Sequence, residues 1–191
     1  MEKDLIIRDG RIVFGAAPQE GEDVIDAGGA YALPGLVDIH FHGAVGHDFC
    51  DADEAGLQAI ADFEASKGVL AICPATMTFS EEILNGIMDV AAAHKNERGA
   101  DLVGINMEGP YISPKKVGAQ NPKYVMAADA GMFRRLQARS GGLIKLVDVA
   151  PRSRAIWISS GNAAMRCAFR LPTPAPTTTR PRPRLPQVHP T

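Results

Sequence analysis

Residues 34–151 alternate between short apolar runs and longer segments in which apolar residues recur at helical spacing. The apolar runs predict four β-strands, at residues 36–40, 69–74, 102–107 and 143–149. The amphipathic segments predict three helices, at residues 54–67, 81–97 and 129–139. Continuously apolar strands separated by helices are typical of parallel β/α units that are covered on both faces. The pattern therefore predicts an α/β fold with a parallel sheet.

Four strands with their helices predict the first half of a (β/α)8 barrel of the TIM type, over residues 34–151. Polar residues stand where three of these strands end: His40 and His42 after the first, Thr76 and Thr78 after the second, and Glu108 after the third. Barrel enzymes have their active sites at these strand ends. A doubly wound sheet is the alternative, but no glycine-rich phosphate loop follows the first strand.

Residues 1–33 have a different rhythm, with short strands separated by turns. The runs at residues 5–8 and 11–14 flank Asp9-Gly10, which predicts a β-hairpin. A further strand is expected near residues 23–26, before the Gly28-Gly29 break. This segment therefore predicts a separate small β domain.

The two histidines near the first strand are spaced i, i+2. Side chains alternate between faces along a strand, so His40 and His42 project to the same side, about 6 to 7 Å apart along the backbone. Imidazole nitrogens are common ligands of zinc and iron. The alternative is a pair of histidines in a loop or a satisfied core.

Glu108 is a single carboxylate at the end of an apolar strand, followed by Gly109-Pro110. A carboxylate in such a place is costly unless it is paired or bound to a cation. A salt bridge at the barrel rim is the structural alternative. Together with the histidine pair, Glu108 predicts a divalent metal site, with zinc or iron as the ion.

Two segments carry a resemblance to a known family. Residues 33–43, LPGLVDIHFHG, resemble the entry into the barrel of the amidohydrolase superfamily. Residues 107–122, MEGPYISPKKVGAQNP, are similar to the metal-binding glutamate and sugar-contacting loop of the N-acetylglucosamine-6-phosphate deacetylase family. The match implies that Glu108 is a metal ligand and that Ala119 and Gln120 contact the sugar phosphate substrate. It also implies that residues 1–33 are part of a small β-sandwich domain built from both chain ends.

The resemblance implies metal-dependent hydrolysis of N-acetylglucosamine 6-phosphate to glucosamine 6-phosphate and acetate, with one or two divalent ions and a homo-oligomeric full-length enzyme. In the family an aspartate on a late barrel strand shuttles the proton, and two further histidines come from the middle strands. None of these positions is present before residue 152, so no catalytic residue is assigned and this chain is expected to be inactive. Another amidohydrolase, of dihydroorotase or deaminase type, and a non-catalytic remnant that associates with a full-length copy are the alternatives.

Acidic and basic residues are distributed very unevenly along the 191-residue chain, although its net charge is only -2. Residues 152–191 hold seven arginines, seven of the 14 prolines and no acidic residue. We interpret this tail as an out-of-frame translation of the same gene, and we expect it to be disordered because it has few large apolar residues. A nucleic-acid-binding or membrane-binding arm is the alternative. The interleaved prolines and only two aromatic residues disfavour a stacking platform, so neither partner is expected.

The three cysteines, Cys50, Cys73 and Cys167, follow no ligand or redox spacing. Free thiols in a reducing compartment account for them. The apolar run near the N-terminus is broken by Arg8 and Asp9, which leaves it too short for a signal peptide or a membrane span. The sequence therefore predicts a cytoplasmic protein.

Overall fold

The computed structural model describes residues 4–150 and 166–167. Contacts divide the chain into two units, Met1–Gly35 and Leu36–Thr191, which are described separately. The predicted out-of-frame tail therefore lies outside the described residues, apart from a two-residue strand.

The first unit contains the predicted hairpin. Strands β1 (Ile6–Arg8) and β2 (Arg11–Val13) pair antiparallel, with Ile6 opposite Val13. Asp9 and Gly10 have φ values of 50° and 68°, as a tight two-residue hairpin turn requires. The strand expected at residues 23–26 is absent: these residues have no strand partner, and Val24 and Ile25 are exposed. That prediction was wrong because the short apolar run Val24-Ile25 has no neighbouring strand to pair with among the described residues.

The second unit is an α/β structure. In chain order its strands are β3 (Leu36–Asp38), β4 (Gly43–Ala44), β5 (His47–Asp48), β6 (Val69–Ile72), β7 (Asp101–Leu102), β8 (Ile105–Met107), β9 (Ile144–Val147) and β10 (Arg166–Cys167). Its α-helices are α1 (Glu54–Ser66), α2 (Glu81–Ala93) and α3 (Ala130–Arg139). Single-turn 3-10 helices cover Phe49–Asp51 and Pro122–Tyr124.

The parallel strands lie side by side in chain order. One sheet has the order β3-β6-β7 and the other β8-β9-β10, all parallel. A parallel bridge between Ala75 and Asn106 joins them, with the Asn106 amide donating to the Pro74 carbonyl at 2.9 Å. The predicted third strand is split at residues 103–104, because its first part pairs with β6 and its second with β9. The predicted α/β class is confirmed.

Each of the three α-helices begins directly after a residue whose side chain caps it. Asp53, Ser80 and Asp129 accept hydrogen bonds from the first turns of α1, α2 and α3. The second helix ends at Ala93, before the predicted end at residue 97, because His94 leaves the helical conformation with ψ at 135°. No helix in the described part of the chain has the length and apolar character to cross a membrane.

The core lies between the parallel strands and the helices. Its largest fully buried aliphatic residues are Ile60, Ile72, Leu84, Ile87, Met88, Ile105, Met107 and Leu136. Burial of one such side chain stabilises the fold by about 1.5–3 kcal/mol. This packing makes a rigid base for the strand ends, where the candidate site lies.

Candidate metal centre

The two histidines extend from the end of β3. Backbone pairing continues past that strand, because the Cys73 amide donates to the Asp38 carbonyl at 2.8 Å and the Ala75 amide to the Phe41 carbonyl at 2.7 Å. Strand β3 itself ends at Asp38 and the chain bends at His40, yet the ring centroids of His40 and His42 lie 5.6 Å apart and both Nε2 atoms face Glu108. The predicted projection of both rings to one side is confirmed.

Glu108 follows β8 and is held at its backbone. The Thr78 hydroxyl donates to the Glu108 carbonyl at 3.2 Å. Gly109, the next residue, has φ at 87°, and a Cβ atom there would come within 1.9 Å of the Thr78 hydroxyl oxygen. Only glycine fits between this backbone and Thr78. The close contact therefore fixes the position of the Glu108 backbone, from which the carboxylate side chain extends.

One carboxylate oxygen faces both imidazoles. Glu108 Oε2 lies 3.3 Å from His42 Nε2 and 3.5 Å from His40 Nε2. These separations are long for hydrogen bonds. Two ligands of a tetrahedral zinc, each about 2.1 Å from the ion, lie about 3.4 Å apart. The three ligand atoms all lie within 4.8 Å of one another, so the donor set fits a divalent cation.

Burial supports the same interpretation. Glu108 Oε2 is buried and has no hydrogen-bond donor, which is costly for a carboxylate oxygen without a cation. The Glu108 side chain is 25% exposed, and those of His42 and His40 are 35% and 51% exposed. The three side chains are therefore partly open to solvent, although Glu108 Oε2 itself is buried.

The contact of His42 Nδ1 with a backbone carbonyl determines which ring nitrogen of His42 carries the proton. His42 Nδ1 lies 3.2 Å from the Ala75 carbonyl oxygen. A carbonyl only accepts, so Nδ1 carries the proton and the Nε2 lone pair faces Glu108. This arrangement is typical of histidine ligands, whose second nitrogen donates to a carbonyl or carboxylate.

Sequence reasoning missed Asn106. Its side-chain nitrogen lies 3.0 Å from both His40 Nδ1 and the Ile39 carbonyl oxygen. The signal that could have found it is the one used for the histidines: Asn106 stands i-2 from Glu108, so both project to the same side.

The predicted substrate residues lie in the loop after Glu108. Ala119 is exposed, whereas Gln120 is only 7% exposed. Gln120 Oε1 accepts a hydrogen bond from the Thr78 amide at 2.6 Å. The loop is therefore tied to the same Thr78 that holds the Glu108 carbonyl, and contact of Ala119 and Gln120 with a substrate stays a prediction.

Comparison with known proteins gives one consistent result. The N-acetylglucosamine-6-phosphate deacetylase of Bacillus subtilis (strain 168) is 34% identical over 154 residues, which cover 76% of this chain and 39% of the relative. The enzyme of the same name from Homo sapiens is 30% identical over 162 residues, covering 79% and 40%. The chain is homologous to part of the N-acetylglucosamine-6-phosphate deacetylases. It spans about two fifths of the length of these curated relatives.

Solved structures of N-acetylglucosamine-6-phosphate deacetylases are similar to the structure of this chain. The Mycobacterium smegmatis deacetylase superposes with a TM-score of 0.58 at 26% identity, covering 63% of this chain and 34% of that one. The Thermotoga maritima deacetylase gives 0.54 at 29% identity, covering 64% and 32%. No family model matches the chain. Sequence identity and fold thus point to the same family.

Proposed function

We propose that this chain carries the cation-binding part of a metal-dependent N-acetylglucosamine-6-phosphate deacetylase. The reaction is hydrolysis of the N-acetyl group of the sugar phosphate, which gives glucosamine 6-phosphate and acetate. The observation that carries the proposal is a buried oxygen of Glu108 without a hydrogen-bond donor, 3.3 and 3.5 Å from the Nε2 atoms of His42 and His40.

We place these residues at the carboxyl end of a (β/α)8 barrel, whose first four strands are β3, β6, the pair β7 and β8, and β9. Their parallel, chain-ordered arrangement supports this. Leu36 and Val37 on edge strand β3 are 61% and 59% exposed. A closed barrel gives such an edge strand a partner and covers its apolar residues.

Each ligand has a distinct task. The Glu108 carboxylate supplies the negative charge that offsets a divalent cation, and His42 supplies a neutral nitrogen whose orientation the Ala75 carbonyl fixes. When bound, a divalent cation, zinc or iron, acts as a Lewis acid and lowers the pKa of a bound water toward ~7. Partial exposure of both rings leaves a substrate amide room to approach.

The loop that carries Ala119 and Gln120 supports a sugar phosphate as substrate. It follows Glu108 directly and is fastened to the site through Thr78. A structure of a variant of the homologous M. smegmatis enzyme, 26% identical, is a complex with N-acetyl-D-glucosamine-6-phosphate. The described cysteines, Cys50 and Cys73, are free, which supports a reducing, cytoplasmic compartment.

Cation binding is tested by zinc titration of the chelator-treated 191-residue chain in a calorimeter. We expect one zinc per chain, bound more weakly than at closed four-ligand structural sites because this cluster offers three protein ligands. Glu108→Gln and His42→Ala should each weaken binding by at least about tenfold. His47→Gln is the matched control, because His47 is exposed and lies outside the cluster. Absent binding, or equal binding by all four proteins, would contradict the proposal.

Deacetylation is tested in a chimera, in which residues 36–150 replace the matching segment of the B. subtilis deacetylase. We expect the chimera to release acetate from N-acetylglucosamine 6-phosphate and the Glu108→Gln chimera to release none. The 191-residue chain alone should also release none, because the aspartate and histidines implied by the family are absent before residue 152. A folded, zinc-loaded chimera without acetate release would refute the proposed function.

A further inference from the structure

The loop at residues 112–120, which follows Glu108, is fastened to the body of the second unit by one side chain. Residues 112–119 are all exposed or half-buried, whereas Gln120 is 7% exposed. Among the residues that the structure describes, hydrogen bonds from this loop to the rest of the chain come from the Gln120 side chain alone. The other hydrogen bonds of the loop are local turns within it. The position of the loop therefore depends on Gln120.

The Thr78 amide decides how the Gln120 carboxamide is oriented. A backbone N–H donates and cannot accept, so the atom 2.6 Å from the Thr78 nitrogen is the side-chain oxygen of Gln120. The NH2 group of Gln120 then faces the Met77 sulfur, a weak acceptor, at 3.6 Å. Both ends of the carboxamide therefore face the segment that follows β6.

The segment after β6 is a firm anchor for this contact. The Met77 amide donates to Cys50 Sγ at 3.2 Å, and the next amide, that of Thr78, donates to Gln120. Thr78 is fully buried. A buried amide that loses its acceptor cannot turn to bulk water instead, so the contact with Gln120 is costly to break.

Thr78 separates the loop from the carboxylate that faces the histidines. Its amide holds Gln120, whereas its hydroxyl donates to the Glu108 carbonyl at 3.2 Å. The close contact between Gly109 and Thr78 also holds the Glu108 backbone, and Gln120 takes no part in it. Loss of the Gln120 oxygen should therefore free the loop and leave the Glu108 carboxylate in place.

We propose that Gln120 is a positioning residue, which accepts from the Thr78 amide and so holds the loop that presents Ala119 to the substrate. The inference rests on the proposed function, in which this loop contacts a sugar phosphate. Ala119 is exposed and directly precedes Gln120, so the anchor fixes the backbone at the expected contact. A loop that is ordered before the substrate arrives need not be ordered on binding. The anchor therefore lowers KM rather than raising kcat.

Hydrogen exchange followed by NMR measures the anchor in the 191-residue chain without substrate. Gln120→Met keeps the length of the side chain but removes the oxygen acceptor, whereas Gln120→Glu keeps an oxygen there. We expect the Thr78 amide to exchange at least about tenfold faster in Gln120→Met than in wild type, and within about threefold of wild type in Gln120→Glu. Equal exchange of this amide in wild type and Gln120→Met would overturn the proposal.

Gln137→Met is the matched control. Gln137 lies in α3, and its side-chain oxygen accepts from the Ile144 amide at 3.0 Å, which is the same kind of contact outside the loop. This variant should speed exchange of the Ile144 amide and leave that of Thr78 unchanged. If it speeds Thr78 exchange as much as Gln120→Met does, the effect is a general loss of stability and the proposal fails.

Kinetics of the chimera that carries residues 36–150 test the effect on substrate, at saturating zinc. We expect Gln120→Met to raise KM for N-acetylglucosamine 6-phosphate by about three- to tenfold, with kcat within about twofold of wild type. Gln120→Glu should restore KM to within about twofold, and Gln137→Met should change neither constant. A fall in kcat with an unchanged KM, or equal effects of Gln120→Met and Gln137→Met, would contradict a positioning role.

The two proposals fail in different ways. If the wild-type chimera releases no acetate but Thr78 exchange responds to Gln120→Met as expected, the proposed function is refuted while the anchoring of the loop by Gln120 stands. If the chimera is active but Gln120→Met changes neither Thr78 exchange nor KM, the proposed function stands and the role of Gln120 is refuted.

Discussion

Replacing Gly109 by alanine tests how the backbone holds the candidate site. Gly109 follows Glu108 and has φ at 87°, in the region that favours glycine. A Cβ atom there would come within 1.9 Å of Thr78 Oγ1 and 3.0 Å of Thr78 Cβ. Thr78 is fully buried and bonded to two neighbouring groups, so it cannot move aside freely. Alanine must therefore displace either Thr78 or the backbone of Glu108.

The expected loss of stability has two parts: a backbone cost, reduced by an effect on the unfolded chain, and an overpacking cost. A positive φ costs an alanine about 1–2 kcal/mol. The lower entropy of the unfolded alanine chain offsets about 0.4–1 kcal/mol of that. Overpacking against Thr78 adds about 1–3 kcal/mol. We therefore expect Gly109→Ala to lower the free energy of unfolding by about 2–4 kcal/mol.

Urea denaturation followed by circular dichroism measures this loss, and Gly118→Ala separates its two parts. Gly118 lies in the same loop with φ at 65°, but a Cβ atom there meets nothing within 4 Å. Gly118→Ala should therefore cost only about 1 kcal/mol. Thr78→Ala removes the hydroxyl, so Gly109→Ala should cost less in that background than in wild type. Zinc binding should fall in Gly109→Ala and be unchanged in Gly118→Ala.

The reasoning would be refuted if the two glycine variants lost the same stability. That result would mean that the contact between residue 109 and Thr78 does not constrain the turn. A normal zinc affinity in a destabilised Gly109→Ala chain would separately refute the claim that this turn positions the Glu108 carboxylate.

Two further predictions concern charged and thiol groups. The hydrogen bond from Arg139 holds the pKa of Asp89 below its ordinary value of 3.8, so the pair stabilises the fold above that pH and loses its effect as the pH falls through the lowered pKa. Urea midpoints measured down to about pH 2.5 should therefore fall more steeply for wild type than for Arg139→Gln, and parallel curves would contradict this. Burial raises the pKa of Cys50 to about 12 and of Cys73 to about 11. In a Cys167→Ser background, a disulfide reagent at about pH 8 should therefore label the native chain far more slowly than the urea-unfolded chain, and equal rates would contradict it.

The sequence predicted the helix starts and strand positions of the second unit well, because these depend on local signals. Ser80 has the side chain that a helix start needs, and the structure places it at the N-cap of α2. The end of that helix was predicted less well. His94 Nδ1 lies 2.9 Å from Glu54 Oε1. Glu54 stands forty positions earlier in the chain, so no local sequence pattern predicts this contact.

The metal cluster was predictable for a different reason. The i, i+2 spacing of His40 and His42 predicted that both rings lie on one side, and parallel strands bring their carboxyl ends to one edge of the sheet. Glu108 reaches the same place although β6 lies between its strand and β3. The order of the parallel strands therefore brings Glu108 close to His42, although 66 positions separate them in the chain.

The residues around the ligands were not predicted, because their roles depend on which atom faces which. The Ala75 carbonyl and the Asn106 NH2 group touch equivalent nitrogens of two histidines, yet one accepts and the other donates. A backbone carbonyl at position 75 exists whatever the side chain, so no sequence pattern reveals its contact with His42. The choice of asparagine at position 106 is different, because it places a donor where a histidine ligand ordinarily needs an acceptor.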